Sequence, residues 1–159
     1  MRTFNDNAGR TWVLSVNVDS IRRVKALLGV NLLDAVGGDL VERLAADPIL
    51  LCDVIYVLCK PQADQEKVSD QDFGRSMAGD AIEHATTALL DDLVDFFPGQ
   101  RRRLLAKGMD RMRSLETAAV KMGEAELDDP KLQARMMQII QAKVTAAVAE
   151  SARPPESKS

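Results

Sequence analysis

The chain has 159 residues, of which 46% are hydrophobic and 28% are charged, and its formal net charge at pH 7 is −3. This length and balance are typical of one folded domain, and they exclude a disordered chain. The net charge gives the whole molecule no attraction for nucleic acid, and the longest apolar run, Ile49 to Cys59, is too short to span a membrane. The residues after Met1 turn polar at once and offer no secretory signal, so we expect a cytoplasmic protein.

Residues 1–18 predict a β-hairpin. A short strand over Arg2 to Phe4 is followed by turn-forming residues at positions 5–9. In the second strand, apolar residues alternate with polar ones, and these apolar residues are Trp12, Leu14, Val16 and Val18. An isolated hairpin is marginal in water, so its apolar face must rest on helices or on another chain. We regard the first three of these residues as candidates for partner binding, with strand pairing between copies at the edge from Thr11 to Val16.

Residues 19–61 predict a first helical group, because the apolar residues now recur every three or four positions. Asp19 or Ser20 is expected to cap the first helix, and Gly29 is expected to end it. A short second helix is expected to begin at Leu40.

The most apolar segment of this group, Pro48 to Lys60, predicts the central helix of the core. Proline is favourable at the first helical position, where Pro48 stands, whereas Pro61 is expected to end the helix. Cys52 and Cys59 lie seven residues apart on one face of this helix, too far along its axis to form a disulfide. We therefore predict two buried free thiols.

Residues 62–150 predict a second helical group that opens with a polar linker over residues 62–68. Its helical stretches are expected from Ser69 to Phe73, from Ala81 to Phe96, from Arg101 to Met122 and from Pro130 onwards. Residues 151–159 predict a disordered tail. The expected fold is thus mainly α, a single domain over residues 1–150 with about six helices and a small N-terminal β-hairpin.

The sequence gives little support for a catalytic site. The single histidine, His84, shares the polar face of its predicted helix with Asp80, Asp91 and Asp95, which is more typical of a solvated acidic face than of a metal or acid–base site. Neither a nucleophile elbow nor a phosphate-binding loop is present. We predict a non-enzymatic protein without catalytic residues, cofactor or metal, and keep a small hydrolase centred on His84 and Asp80 as an alternative.

Charge is unevenly distributed along the second group. Residues 62–98 carry nine acidic and two basic residues, whereas residues 99–122 carry seven basic and two acidic ones. Pairing between successive helices would explain this pattern, and so would an acidic protein partner held by Arg103, Lys107 and Arg111. The basic helix has no aromatic residue on which bases would stack, so a DNA-binding regulator is the less favoured alternative.

Methionines concentrate on the last two predicted helices, at Met109, Met112, Met122, Met136 and Met137. Their flexible side chains form deformable apolar surfaces that suit imperfectly matched partners, although filling the core is the common use of methionine. We add Met109 and Met112 to the candidate partner-binding residues.

Four stretches of the sequence carry a family resemblance, namely residues 4–18 (FNDNAGRTWVLSVNV), 21–34 (IRRVKALLGVNLLD), 47–61 (DPILLCDVIYVLCKP) and 69–98 (SDQDFGRSMAGDAIEHATTALLDDLVDFFP). In this order they resemble the small tail assembly chaperones encoded in the tail modules of tailed phages and prophages. The resemblance covers about Phe4 to Pro98 and is most distinctive from Asp72 onwards, whereas the last two helices are generic.

The resemblance implies a chaperone that binds the long, helical tape measure protein during tail assembly in the host bacterial cytoplasm and is absent from the mature virion. It also implies self-association along that partner, and a longer form made by ribosomal frameshifting near residues 151–159. The alternative is a helical structural or adaptor subunit that is retained in a phage tail or phage-like particle.

Overall fold

A computed structural model describes residues 1–151, together with their side chains except those of Leu127, Glu150 and Ser151. Over these residues the fold is mainly α with a small N-terminal antiparallel sheet, as predicted. Of the predicted tail over residues 151–159, only Ser151 is described, as the last residue of the final helix, and the rest lies outside the described residues. None of the helices within residues 1–151 is long and apolar enough to cross a membrane.

The secondary structure begins with two paired strands and continues with helices. The strands are β1 (Arg2–Asn5) and β2 (Thr11–Leu14). The helices are α1 (Val18–Leu28), a 3₁₀ turn (Leu32–Ala35), α2 (Leu40–Ala46), α3 (Pro48–Glu66), α4 (Asp70–Ser76), α5 (Asp80–Phe96), α6 (Gly99–Leu127) and α7 (Pro130–Ser151). The described residues thus contain seven α-helices, where about six were predicted, and the stretch predicted to begin at Ser69 is one of them.

The chain divides into two compact units, Met1–Met109 and a second unit from Asp110 onwards. We call them the N-terminal and the C-terminal unit. The sequence predicted a single domain over residues 1–150 and did not anticipate this division. The N-terminal unit holds the hydrophobic core, whose described members extend from Phe4 to Met109.

The hairpin packs its apolar face onto the helices of the N-terminal unit. Trp12 meets the ring of Phe73 edge to face, with 5.0 Å between the ring centroids, and Tyr56 lies 5.3 Å from the same ring. Such edge-to-face pairs add to the stabilisation that burial of the rings already gives. The aromatic residues of β2, α3 and α4 therefore fix the hairpin against the helical core.

The start of α1 differs from the predicted one, whereas its end is confirmed. Asn17 is the N-cap, and its side chain accepts a hydrogen bond from the Ser20 backbone while the Ser20 side chain reaches back to the Asn17 N–H. This reciprocal capping box stabilises the first turn and draws Val18, predicted to lie in a strand, into the helix. Gly29 ends the helix in the left-handed conformation, with φ 68°.

The prediction that Pro61 ends the central helix and that residues 62–68 form a linker was wrong, because α3 continues to Glu66. Proline has no N–H to donate to the carbonyl four residues earlier, which here belongs to Val57. The Arg23 guanidinium from α1 donates to that carbonyl oxygen at 3.2 Å. The helix thus continues because a residue outside it satisfies the carbonyl that the proline leaves open.

The two cysteines of α3 are free thiols, Cys59 buried and Cys52 half-buried. Burial raises the pKa of Cys59 to about 12. Burial, and then the nearby charge of Asp53, raises the pKa of Cys52 as well. Both thiols are therefore protonated near neutral pH, which leaves neither of them a reactive thiolate.

Candidate functional site

The three hairpin residues that were predicted to bind a partner lie in the core. Trp12 and Leu14 are 0% exposed and Val16 is 8% exposed, because the even-numbered positions of β2 face the helices. Val13, on the opposite face of the sheet, is 42% exposed. The partner-binding role predicted for Trp12, Leu14 and Val16 is corrected accordingly, since their side chains stabilise the N-terminal unit from within.

The outer edge of β2, where strand pairing was predicted, is covered by α3. The Gln62 side chain accepts a hydrogen bond from the Val13 N–H at 2.9 Å and donates one to the Thr11 carbonyl oxygen at 2.8 Å. The Cys59 thiol donates to the Val13 carbonyl oxygen at 3.7 Å. One amide side chain thus takes the place of a neighbouring strand and closes this edge.

The outer edge of β1 is the open edge of the sheet. Because Thr11 and Val13 direct their backbone groups towards α3, the hydrogen-bonded pairs of the ladder are Phe4 with Trp12 and Arg2 with Leu14. The alternate residues of β1, Thr3 and Asn5, therefore direct their N–H and C=O groups away from β2. Within residues 1–151 no hydrogen bond reaches these backbone groups of Thr3 and Asn5.

An open groove of about 610 Å³ runs beside β1. Its walls are residues 1–5 on one side and, on α5, His84, Thr87, Ala88 and Asp91. His84 and Thr87 are exposed, whereas Ala88 is buried under the strand. In the part of the chain that the structure describes, no three His, Cys, Asp or Glu side chains are placed to hold a metal ion.

The tip of the hairpin is held by Asp6, a buried carboxylate that sequence reasoning missed. Its two oxygens accept hydrogen bonds from the backbone of Ala8 and Arg10 and from the side chains of Arg10, Trp12 and Ser76, at 2.7–3.1 Å. Ser76 ends α4, and its backbone carbonyl also accepts from the Asn7 N–H at 3.0 Å. The turn between the strands is thereby fixed to α4, seventy positions further along the chain.

These contacts predict a pH dependence of stability. Burial alone raises the pKa of Asp6, but the hydrogen bonds from Trp12, Arg10 and Ser76 outweigh it and lower the pKa from 3.8 to about 2. Because the folded-state pKa is depressed, the stabilisation is complete above about pH 4 and is lost as the pH falls towards 2. We expect the free energy of unfolding to fall by about 2 kcal/mol over that range. Urea titrations between about pH 5 and pH 2 check this, and the decrease should be smaller by about that amount in Asp6→Asn.

The acidic face of α5 meets the N-terminal strand. The buried carboxylate of Asp92 accepts from the Val16 N–H at 2.6 Å and pairs with the Met1 amino group, and Asp95 pairs with Arg2 at 2.6 Å.

Arg102 of α6 donates to the backbone carbonyls of Asp95 and Phe97, at 2.6 and 3.0 Å. The first turn of the basic helix therefore satisfies carbonyls at the end of α5, a role that charge counting did not reveal.

The remaining candidates lie on α6. Arg103, Lys107 and Arg111 are exposed, as their positions opposite the apolar stripe predict. Met109 is 5% exposed and belongs to the core, so its predicted partner-binding role is corrected, whereas Met112 is 41% exposed. The two methionines lie three residues apart on one stripe, but only Met109 has other core side chains to pack against.

The C-terminal unit presents a large set of exposed apolar side chains. We call them the apolar surface, and its members are Met112, Leu115, Val120, Met122, Met136, Met137, Ile139, Ile140, Val144 and Val148. Each of these side chains is 41–73% exposed. Among residues 110–151 whose burial is described none is buried, and only Leu132 is half-buried. The spacing of Met136, Ile140, Val144 and Val148 by four residues was visible in the sequence, but spacing alone does not show whether a helix face is buried or exposed.

Comparisons with protein-family models, with curated proteins and with solved structures found no match to this chain.

Proposed function

We propose that this protein is a non-enzymatic chaperone that binds a long helical protein, the tape measure of a phage tail, in the bacterial cytoplasm. The observation that supports this proposal best is the apolar surface on α6 and α7. Its ten side chains are at least 41% exposed, and no residue described between positions 110 and 151 is buried. The resemblance of residues 4–98 to tail assembly chaperones supports the choice of a tape measure protein as the partner.

The exposure of this surface favours a binding role over a purely structural one. Large apolar side chains are usually exposed singly on soluble proteins, and a concentration of ten of them between positions 112 and 148 is typical of an interaction site. Burial of apolar area stabilises a complex by roughly 25 cal/mol per Å², so covering these side chains is a strong driving force for association. Two helices with little core of their own are suited to receive that apolar area from a partner.

The shape of the surface favours a helical partner. On α7, Met136, Ile140, Val144 and Val148 recur every four residues, and such a stripe binds another amphipathic helix along its length. Met112, Met122, Met136 and Met137 contribute flexible side chains that adapt to several sequences along a repetitive partner. Arg111, which is exposed and belongs to the same unit as this surface, would meet an acidic side chain of that partner.

The test is co-expression with each neighbouring gene product, above all the longest helical one, followed by capture through a tag on this chain. We expect the wild-type chain to keep that partner soluble and to capture it, and Ile140→Asp to reduce capture at least about tenfold, because it places a charge within the apolar surface. Gln138→Asp is the matched control, since it adds the same charge to an exposed position of the same helix.

Equal capture by the two variants would show that the apolar surface is not the binding site. If the wild-type chain captures none of the neighbouring products, the tail-assembly proposal loses its support. Mass spectrometry of purified particles then separates a chaperone, which should be missing, from a subunit that remains in the particle.

A further inference from the structure

The two edges of the N-terminal sheet are unequal: Gln62 closes the edge of β2, whereas Thr3 and Asn5 leave the edge of β1 open. We propose that a second copy of this chain binds along β1, so that the two β1 strands pair antiparallel about a twofold axis. The result is a four-stranded sheet with the α5 helices of the two copies packed beneath it. This proposal is independent of the chaperone function, because it uses only the N-terminal unit.

Pairing of the two strands engages the open backbone groups. With Phe4 of one copy opposite Phe4 of the other, Thr3 lies opposite Asn5 on both sides of the axis. These are the residues whose N–H and C=O groups point outwards, and a hydrogen-bonded antiparallel pair exchanges two bonds. This register therefore satisfies Thr3 and Asn5 of both copies. On the solvent face the new cross-strand neighbours are the polar side chains of Thr3 and Asn5, which are compatible with water.

The α5 residues that line the groove are complementary to themselves under the same twofold axis. An antiparallel α5 pair centred on Thr87 and Ala88 places His84 of each copy opposite Asp91 of the other. It also places Asp80 opposite Asp95, whose charge is balanced by Arg2 of its own chain. The small side chains at the centre allow the helices to approach, and an imidazole N–H can donate to a carboxylate at each end. Asp91 already has a contact within its own chain, and its several lone pairs let it accept this further bond.

This self-complementarity favours a second copy over an unrelated extended peptide. β1 has only four residues, of which two direct backbone groups outwards, so strand pairing alone gives a weak complex. A second copy adds the helix contact at both ends of the groove, because in a twofold interface each residue pair occurs twice. A foreign peptide supplies a strand but no helix to pack against the groove-lining face of α5.

The test compares the same substitution at the two edges of the sheet. In Thr3→Pro the lost N–H points outwards from β1, so the hairpin is retained while the new pairing is blocked. Thr11→Pro is the matched control, because Thr11 occupies the corresponding outward position on the closed edge. The measurement is sedimentation velocity of the full chain, with any tag placed at the C-terminus. We expect wild type and Thr11→Pro to sediment with the mass of two chains. We expect a one-chain mass for Thr3→Pro.

A second variant tests the helix contact without touching the strand. Thr87→Lys changes an exposed side chain, so it should leave the fold intact and raise the dissociation constant of the dimer at least about tenfold, because two lysines meet at the axis. Three outcomes overturn the proposal: a wild-type chain of one-chain mass, equal loss of the dimer in Thr3→Pro and Thr11→Pro, or dissociation by Ile140→Asp alone. Retained capture of the helical partner by Thr3→Pro would show that this interface and the apolar surface act separately.

Discussion

Replacing Leu14 with lysine should unfold the N-terminal unit. The Leu14 side chain is 0% exposed and packs against the core beneath the hairpin. A lysine there loses roughly 2 kcal/mol of apolar burial and places an unpaired ammonium group in the core. We expect the free energy of unfolding to fall by more than about 4 kcal/mol, a large share of the 5–15 kcal/mol typical of a domain. Urea titration measures it.

The neighbouring residue provides the control for this change. Val13 lies on the other face of the same strand and is 42% exposed, and its contacts with Gln62 and Cys59 involve only its backbone. Val13→Lys should therefore cost less than about 1 kcal/mol. If both lysine variants unfold at the same urea concentration, the assignment of the two faces of β2 is wrong.

Replacing Asp6 with alanine should be nearly as damaging. The change removes the carboxylate that the Trp12 indole, the Ser76 hydroxyl and the Arg10 guanidinium share, and it leaves buried donors without that acceptor. Removal of one partner from a buried ion pair costs about 3–5 kcal/mol. We expect a loss of that size in the free energy of unfolding, measured well above pH 4, where the Asp6 carboxylate is ionised.

Asp19 provides a comparison, because it also lies four residues before an arginine with which it pairs. Asp19 pairs with Arg23 four residues later, just as Asp6 pairs with Arg10, but the Asp19 side chain is 83% exposed whereas that of Asp6 is 0% exposed. Exposed pairs of this kind, even at the start of a helix, contribute about 1 kcal/mol at most. Asp19→Ala should therefore change stability little, and a loss equal to that of Asp6→Ala would contradict the role given to burial.

The sequence predicted the features of the fold that depend on neighbouring residues. The hairpin alternation, the Gly29 stop, Pro48 at the start of α3 and the Ser69 cap are all present in the structure. Apart from the start of α1, which the Asn17–Ser20 capping box sets locally, the failures depend on residues that are distant in sequence. Pro61 does not end its helix because Arg23 donates to the carbonyl that the proline leaves open. The predicted boundary between the two helical groups, at residues 61 and 62, therefore falls inside α3.

The candidate site was less predictable, because apolar spacing does not reveal what covers a helix. Met109 and Met112 follow the same stripe of α6, yet the first is buried and the second is exposed. The alternation of β2 was predicted correctly. Its outer edge, however, is closed by Gln62, which lies in a segment that was predicted to be a linker. Asp6 was predicted to be an ordinary turn residue, because the sequence does not show that its partner Ser76, seventy positions away, lies beside it.

The placement of the aromatic residues gives the two units different optical signals. The single tryptophan and the single tyrosine, Trp12 and Tyr56, lie in the N-terminal unit, together with every phenylalanine of the sequence. Fluorescence and near-ultraviolet circular dichroism therefore report on that unit alone, whereas the far-ultraviolet signal also includes the helices after Asp110. Melting confined to the residues after Asp110, which carry the apolar surface, would leave the core around Trp12 and its emission unchanged. A tryptophan introduced into α7 would give that surface a signal of its own.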